Sequence, residues 1–277
     1  MGLTIPPVVD LEWVREHRDG LVFADVRWYL DGRSGYDAYR AGHLPGAIWV
    51  DVDTDLSAPS TFEGGRHPLL APAEFAAALG ELGIAETDTV IAYDDNCGAY
   101  AARLVWLLRR LGQDAALLDG GLAGWPHPLE TDPVTRTPVH RRVVPWPDVF
   151  RTADEVAVAA ATGKAVVLDA RAPQRYSGES VLPTDRASGH IPGAVNAPWA
   201  ENLDESGRFA PDLRARYAAR GVTGGLDVIV YCGSGVTACH DLLALELFGV
   251  TSAALYPGSW SAWSADPSRP IATGEGT

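Results

Sequence analysis

The sequence predicts an α/β protein made of two tandem copies of one unit, each a parallel sheet flanked by helices. Three observations carry this. Gly42-His43-Leu44-Pro45-Gly46-Ala47 returns as Gly189-His190-Ile191-Pro192-Gly193-Ala194. Val90-Ile91-Ala92-Tyr93 returns as Val228-Ile229-Val230-Tyr231, and Trp125 as Trp263, both 138 residues later. Within each copy, short apolar runs alternate with segments of helical period, the pattern of a parallel sheet covered on both faces.

In the first copy, Glu12 to His17 reads as a helix and Leu21 to Asp25 as a strand ending on an acid. After the Gly-His turn, Ala73 to Leu82 and Ala99 to Leu111 carry helical periods on either side of the apolar strand Val90 to Tyr93. Ala115 to Leu117 is the next strand, and Trp125 closes the unit. The following stretch, to Pro147, is rich in proline, threonine and charge and has no period. Residues 1–126 are therefore assigned to the first domain, 127–147 to a linker and 148–277 to the second domain. There the helices are expected at Thr152 to Ala161, Asp212 to Arg220 and Thr237 to Phe248, and the strands at Val166 to Asp169, Val228 to Tyr231 and Ala253 to Leu255. His43, His190, Asp25 and Asp169 occur in both copies. They are expected to pin the turn in each unit rather than to catalyse.

Composition narrows the function. A formal net charge of −14 argues against nucleic acid and against anionic membranes as partners. No apolar run reaches the length of a membrane span. The start, Met1-Gly2-Leu3-Thr4-Ile5-Pro6-Pro7, lacks the basic and apolar regions of a secretory signal. The three cysteines, Cys97, Cys232 and Cys239, form no Cys-x-x-Cys pair. A disulfide framework and a zinc site are thus not expected, and a cytoplasmic location is.

The chemistry centres on Cys232-Gly233-Ser234-Gly235-Val236-Thr237-Ala238. The strand Val228 to Tyr231 ends directly on the cysteine, and a helical pattern starts after the small residues. A loop of this kind can aim several backbone N–H groups at one sulfur, and the helix start favours an anion there. A cysteine so placed is expected to have a lowered pKa. Taken alone, Cys232 reads equally as a small core residue at a strand end. The strand–glycine loop–helix context favours the reactive thiol. In the first copy the matching position is Asp94, which has no thiol, so that copy is expected to be catalytically silent. Phosphatase chemistry of the Cys-x5-Arg kind is poorly supported, because the sixth residue after Cys232 is Ala238. No papain-like signature is present. Cys97 lies in the silent loop away from the anchor position, and Cys239 lies within the helix as an expected core thiol.

The cysteine loop, together with the duplicated units, resembles the rhodanese superfamily in its tandem-domain form, in the branch that uses 3-mercaptopyruvate. That resemblance implies two rhodanese-like domains with an inactive first one. It also implies sulfur transfer through a Cys232 persulfide, with release of pyruvate and no cofactor or metal. The acceptor would be cyanide, a small thiol or a thioredoxin-like protein. Relatives that use thiosulfate typically carry cations directly after the cysteine, where this chain has Gly233 and Ser234. Two alternatives stay open: a thiosulfate:cyanide sulfurtransferase, and a sulfur-relay protein without small-molecule turnover. The resemblance makes Cys232, Ser234, His67 and Asp53 candidate catalytic residues, the last three as a hydrogen-bonded relay. Ser234 reads equally as a small loop residue. For the donor and its persulfide sulfur it implies Arg175, from Arg175-Tyr176-Ser177-Gly178, and the loop residues Gly233, Gly235, Val236 and Thr237. Arg186 is carried over as a second donor cation although its spacing departs from the family's. Arg66 stands beside His67 without a motif to support it.

Overall fold

In the computed structural model of the chain, residues 4–274 are described. The chain divides into two compact units. One holds the chain through Ala58, then Leu70–Pro147 and Glu205–Arg208. The other holds Pro59–Leu69, Asp148–Asp204 and the chain from Phe209 onward.

The first unit is a five-stranded parallel sheet. Its strands are β1 (Val8–Val9), β2 (Leu21–Asp25), β3 (Ile48–Trp49), β4 (Thr89–Tyr93) and β5 (Ala115–Leu118), in the order β1-β5-β4-β2-β3. Its helices are α1 (Leu11–Glu16), α2 (Gly35–Ala41), α3 (Pro72–Glu81) and α4 (Ala101–Arg110). The central strands are apolar along their length because both faces are covered. Helix α1 starts where Asp10 accepts the Trp13 N–H at 2.8 Å, and α3 starts on a proline, whose missing N–H leaves no unpaired donor there.

The second unit repeats this order one strand short. Strands β6 (Ala165–Asp169), β7 (Val195–Asn196), β8 (Asp227–Tyr231) and β9 (Ala254–Leu255) form a parallel sheet in the order β7-β6-β8-β9. A bridge from Phe150 to Leu255 stands where β1 would be. The helices are α5 (Ala153–Thr162), α6 (Pro173–Ser177), α7 (Leu213–Ala218), α8 (Ala238–Leu247) and α9 (Ser259–Trp263). A reciprocal pair of bonds between Thr152 and Glu155 caps α5. Helices α2, α6 and α9, of five to seven residues, are not among those expected from the sequence.

Each unit carries the same buried pin. Asp25 and Arg27 form a bidentate pair, and Arg27 Nη2 also donates to Gly42 O at 2.7 Å. Asp169, Arg171 and Gly189 O repeat it, again at 2.7 Å. His43 stacks on Tyr39 and His190 on Tyr176, each with Nδ1 bonded to that tyrosine's carbonyl. The duplicated histidines and acids therefore hold the turn that enters β3 and β7.

Three segments cluster otherwise than the sequence assignment places them, and one is Glu205–Arg208, which lies with the first unit. Residues 59–69 cluster with the second unit although they precede α3 of the first. Residues 127–147 contain no helix but are strapped onto the first unit rather than loose. Val139 N–H donates to Gly80 O, Arg141 donates to Ile84 O and to Gln113, and Trp146 Nε1 donates to Leu70 O. A Cβ at Gly80 would meet Val139 O at 2.5 Å, so the strap needs that glycine.

Among the described residues, no helix is long and apolar enough to cross a membrane.

Candidate active site

Strand β8 ends at Tyr231, and its parallel pairing with β6 brings Asp169 opposite that tyrosine. Cys232 is the next residue, at the C-terminal edge of the sheet where α/β proteins place their ligands. The cysteine loop is held at both ends. Cys232 N–H donates to Ser259 Oγ at 3.1 Å, Trp260 N–H to Cys232 O at 3.0 Å and Ser261 N–H to Gly233 O at 2.9 Å. Gly235 N–H points back at Cys232 Sγ, 3.2 Å away. Gly235 has φ +77°, and a Cβ there would meet Pro257 O at 2.6 Å, so glycine is required. Val236 is buried, and Thr237 leads directly into α8. Cys232 itself is almost fully buried.

The matching loop of the first unit shows what this backbone can hold. The Asp94 carboxylate accepts four backbone N–H groups, from Asn96, Gly98, Tyr100 and Ala101, at 2.7–2.9 Å. Burial pushes the Asp94 carboxyl above its ordinary value, and the four donors pull against that by favouring the anion. In the first unit the loop's N–H groups are thus taken up by its own side chain.

Segment 59–69 supplies the rest of the site. Thr61 and Gly65 exchange backbone bonds at 3.0–3.1 Å to form a tight turn. Gly65, with φ +76°, lies so close to Gly258 that a Cβ would meet Gly258 O at 2.6 Å. Arg66 N–H donates to Ser261 Oγ at 3.1 Å. This docking sets His67 Nδ1 2.7 Å from Ser234 Oγ, with both side chains buried.

Two guanidinium groups converge on Gly233. The point where a Cβ would stand is 3.0 Å from Arg66 Nη2 and 3.1 Å from Arg175 Nη2. Both arginines are tied to the two oxygens of one carboxylate. Arg66 Nη1 lies 2.9 Å from Asp185 Oδ1, and Arg175 Nη2 lies 2.7 Å from Asp185 Oδ2. The Asp185 side chain is 2% exposed. Arg175 Nε is buried and has no hydrogen-bond partner among the described residues. Gly233 is therefore more than a turn residue, because its missing side chain leaves room for two cations beside the cysteine.

Of the residues expected from sequence, Cys232, Gly233, Ser234, Gly235, His67 and Arg175 come together in the second unit. Asp53 lies in the first unit, where its carboxylate accepts the Trp28 Nε1–H at 3.0 Å. Arg186 is exposed, while its neighbour Asp185 turns inward. Sequence reasoning passed over Arg66 as the second cation and Asp185 as the group between the cations. The one available signal was the position of Arg66 next to His67. Cys239 is fully buried, with Sγ 3.6 Å from Gly235 O. Burial, then Asp94 and Asp119, push the Cys97 thiol up, away from a reactive thiolate.

Such a site has a buried cysteine sulfur facing the Gly235 N–H, two guanidinium groups beside it, and a buried His–Ser hydrogen bond. The duplicated fold carrying it matches the rhodanese-like domain twice, over residues 10–127 and 152–266. The chain belongs to the rhodanese-like family and comprises two such domains. It is 43% identical over 270 residues to a Pseudomonas aeruginosa protein named "Probable 3-mercaptopyruvate sulfurtransferase", covering 92% of this chain and 93% of that one. It is 37% identical to the "Putative thiosulfate sulfurtransferase SseB" of Mycobacterium tuberculosis, over 99% of this chain and 98% of the relative. The crystal structure of the 3-mercaptopyruvate sulfurtransferase SseA from Escherichia coli superposes with a TM-score of 0.81 at 33% identity, over 93% of this chain and all of that one.

Proposed function

We propose that the protein is a sulfurtransferase that takes sulfur from 3-mercaptopyruvate onto Cys232 and passes it to a thiophilic acceptor. The observation that carries this reading is the convergence of Arg66 and Arg175 on Gly233, beside a cysteine whose sulfur faces the Gly235 N–H. The donor carboxylate would lie against the two guanidinium groups. Its sulfur would then be presented to Cys232.

The Cys232 thiolate attacks the donor sulfur. A new S–S bond forms, the C–S bond breaks, and the electron pair leaves as the enolate of pyruvate, which takes up a proton. Ser234, bonded to His67, is the group set to handle that proton. The terminal persulfide sulfur occupies a cradle like the one that holds the Asp94 carboxylate in the first unit. Val236 and Thr237 shape the loop around it. Cyanide, a small thiol or a reduced thioredoxin-like protein then attacks that sulfur and returns the Cys232 thiolate. This is ping-pong chemistry without a metal or organic cofactor. Its setting would be the cytoplasm. In this scheme the first domain carries no sulfur, because Asp94 stands at the cysteine position.

The test is a paired assay with 3-mercaptopyruvate and thiosulfate, cyanide as acceptor, and Cys232→Ser as blank. A higher kcat/KM for 3-mercaptopyruvate is expected. A higher value for thiosulfate would make the protein a thiosulfate:cyanide sulfurtransferase, and activity surviving in Cys232→Ser would refute the assignment.

A further inference from the structure

The two cations beside Gly233 do not act at full strength, because one carboxylate is shared between them. Asp185 gives one oxygen to Arg66 and the other to Arg175, and it is almost entirely shielded from water. The Arg66–Arg175–Asp185 cluster therefore presents a net charge of about +1 rather than +2. Each guanidinium keeps further donors. Arg175 Nε is buried without a partner among the described residues, and an Nη2 of each arginine faces the space over Gly233. A group with one negative charge matches this cluster, whereas a dianion leaves one charge uncompensated in a partly dehydrated place.

We propose that Asp185 sets donor choice by charge. It half-neutralises the Arg66–Arg175 pair, so that the site favours a monoanionic 2-oxo acid thiol over dianionic thiosulfate. This rests on the sulfurtransferase reading and adds a residue outside the cysteine loop that controls specificity. Asp185 is a positioning residue, since it acts through the two arginines and not on the donor itself. Arg66 is the second donor cation in place of Arg186.

The experiment compares three enzymes: wild type, Asp185→Asn, and the double variant Asp185→Asn/Arg66→Gln, which returns the cluster to one net charge. The readout is the ratio of kcat/KM for thiosulfate to that for 3-mercaptopyruvate. Asp185→Asn is expected to raise the ratio by at least about tenfold, since the dianion gains one charge's attraction more than the monoanion. The double variant should return the ratio to within about threefold of wild type. If Asp185→Asn lowers both donors alike and leaves the ratio unchanged, Asp185 is only a structural tie and the proposal is overturned.

Binding keeps this separate from the functional reading. Calorimetry with pyruvate and sulfate as unreactive probes, on Cys232→Ser with and without Asp185→Asn, should show the same shift toward the dianion. A shift in binding alongside a wild type that turns over neither donor would refute the sulfurtransferase reading and keep the charge filter. An unchanged pyruvate-to-sulfate ratio would refute the filter whatever the turnover.

Discussion

Gly65→Ala should cost this protein its activity before its fold. Gly65 lies at φ +76°, where an L-residue other than glycine is disfavoured by roughly 1–2 kcal/mol. Its new Cβ would also overlap Ser261 Oγ and stand 2.6 Å from Gly258 O. The serine hydroxyl can rotate away, but the carbonyl belongs to the backbone that enters α9 and cannot. Overpacking of this kind costs about 1–3 kcal/mol, for a total of about 2–5 kcal/mol. The cheapest relief is for the turn at 61–65 to lift from α9. That movement breaks the bond from Arg66 N–H to Ser261 and draws both Arg66 and His67 away from Gly233 and Ser234. Losing one charge-assisted contact to the donor removes about 1.5–3 kcal/mol of binding, which corresponds to a fall of about ten- to hundredfold in kcat/KM. The control is Gly249→Ala. Gly249 has φ +95°, yet a Cβ there meets nothing within 4 Å, so it carries the backbone strain without the collision. The assay is kcat/KM with 3-mercaptopyruvate and cyanide, alongside thermal unfolding of both variants. Wild-type activity in Gly65→Ala, or an equal loss in Gly249→Ala, would refute the reasoning.

Other consequences can be checked separately. His67→Gln should lower kcat more than KM, because it removes the partner of Ser234 and leaves both arginines in place; an effect confined to KM would take His67 out of the proton step. Asp169→Asn should destabilise the protein by about 3–5 kcal/mol in urea unfolding, since it strands the buried Arg171 charge; the exposed Asp31→Asn should give no measurable change. Burial lowers the His190 pKa, so the unfolded chain takes up a proton first as pH falls. Stability should therefore drop below about pH 6.5 until the folded pKa is passed, and His190→Gln should remove that part of the slope. In the Cys232→Ser background, alkylation of Cys97 followed by mass spectrometry should be slower at neutral pH than that of a free cysteine and quicken at alkaline pH, because burial, Asp94 and Asp119 push the thiol up.

Much of this molecule is legible in the amino-acid order because its signals are local. The strands ending at Asp25, Tyr93, Asp169 and Tyr231 are apolar runs that need cover on both faces, and duplication makes each reading check the other. Helices α3, α4, α5 and α8 span ten residues each, enough to show a period. The position of Cys232, one residue past β8 and at the start of a glycine loop, follows from the same local pattern. Helices α2, α6 and α9 do not.

The charged surroundings of the cysteine belong to the tertiary structure. His67 and Ser234 are 167 residues apart, and Arg66 and Asp185 are 119 apart. Nothing in the local sequence says that residues 59–69 leave the unit in which they begin and cluster with the other. Arg66 and Arg186 are equivalent in composition. Only the close approach of Gly65 to Gly258 and the inward turn of Asp185 select the first over the second. Periodicity reports which side of an element is buried. Which distant loop meets it is decided by steric fit and by the need to pair charges out of water, and neither leaves a repeat in the chain.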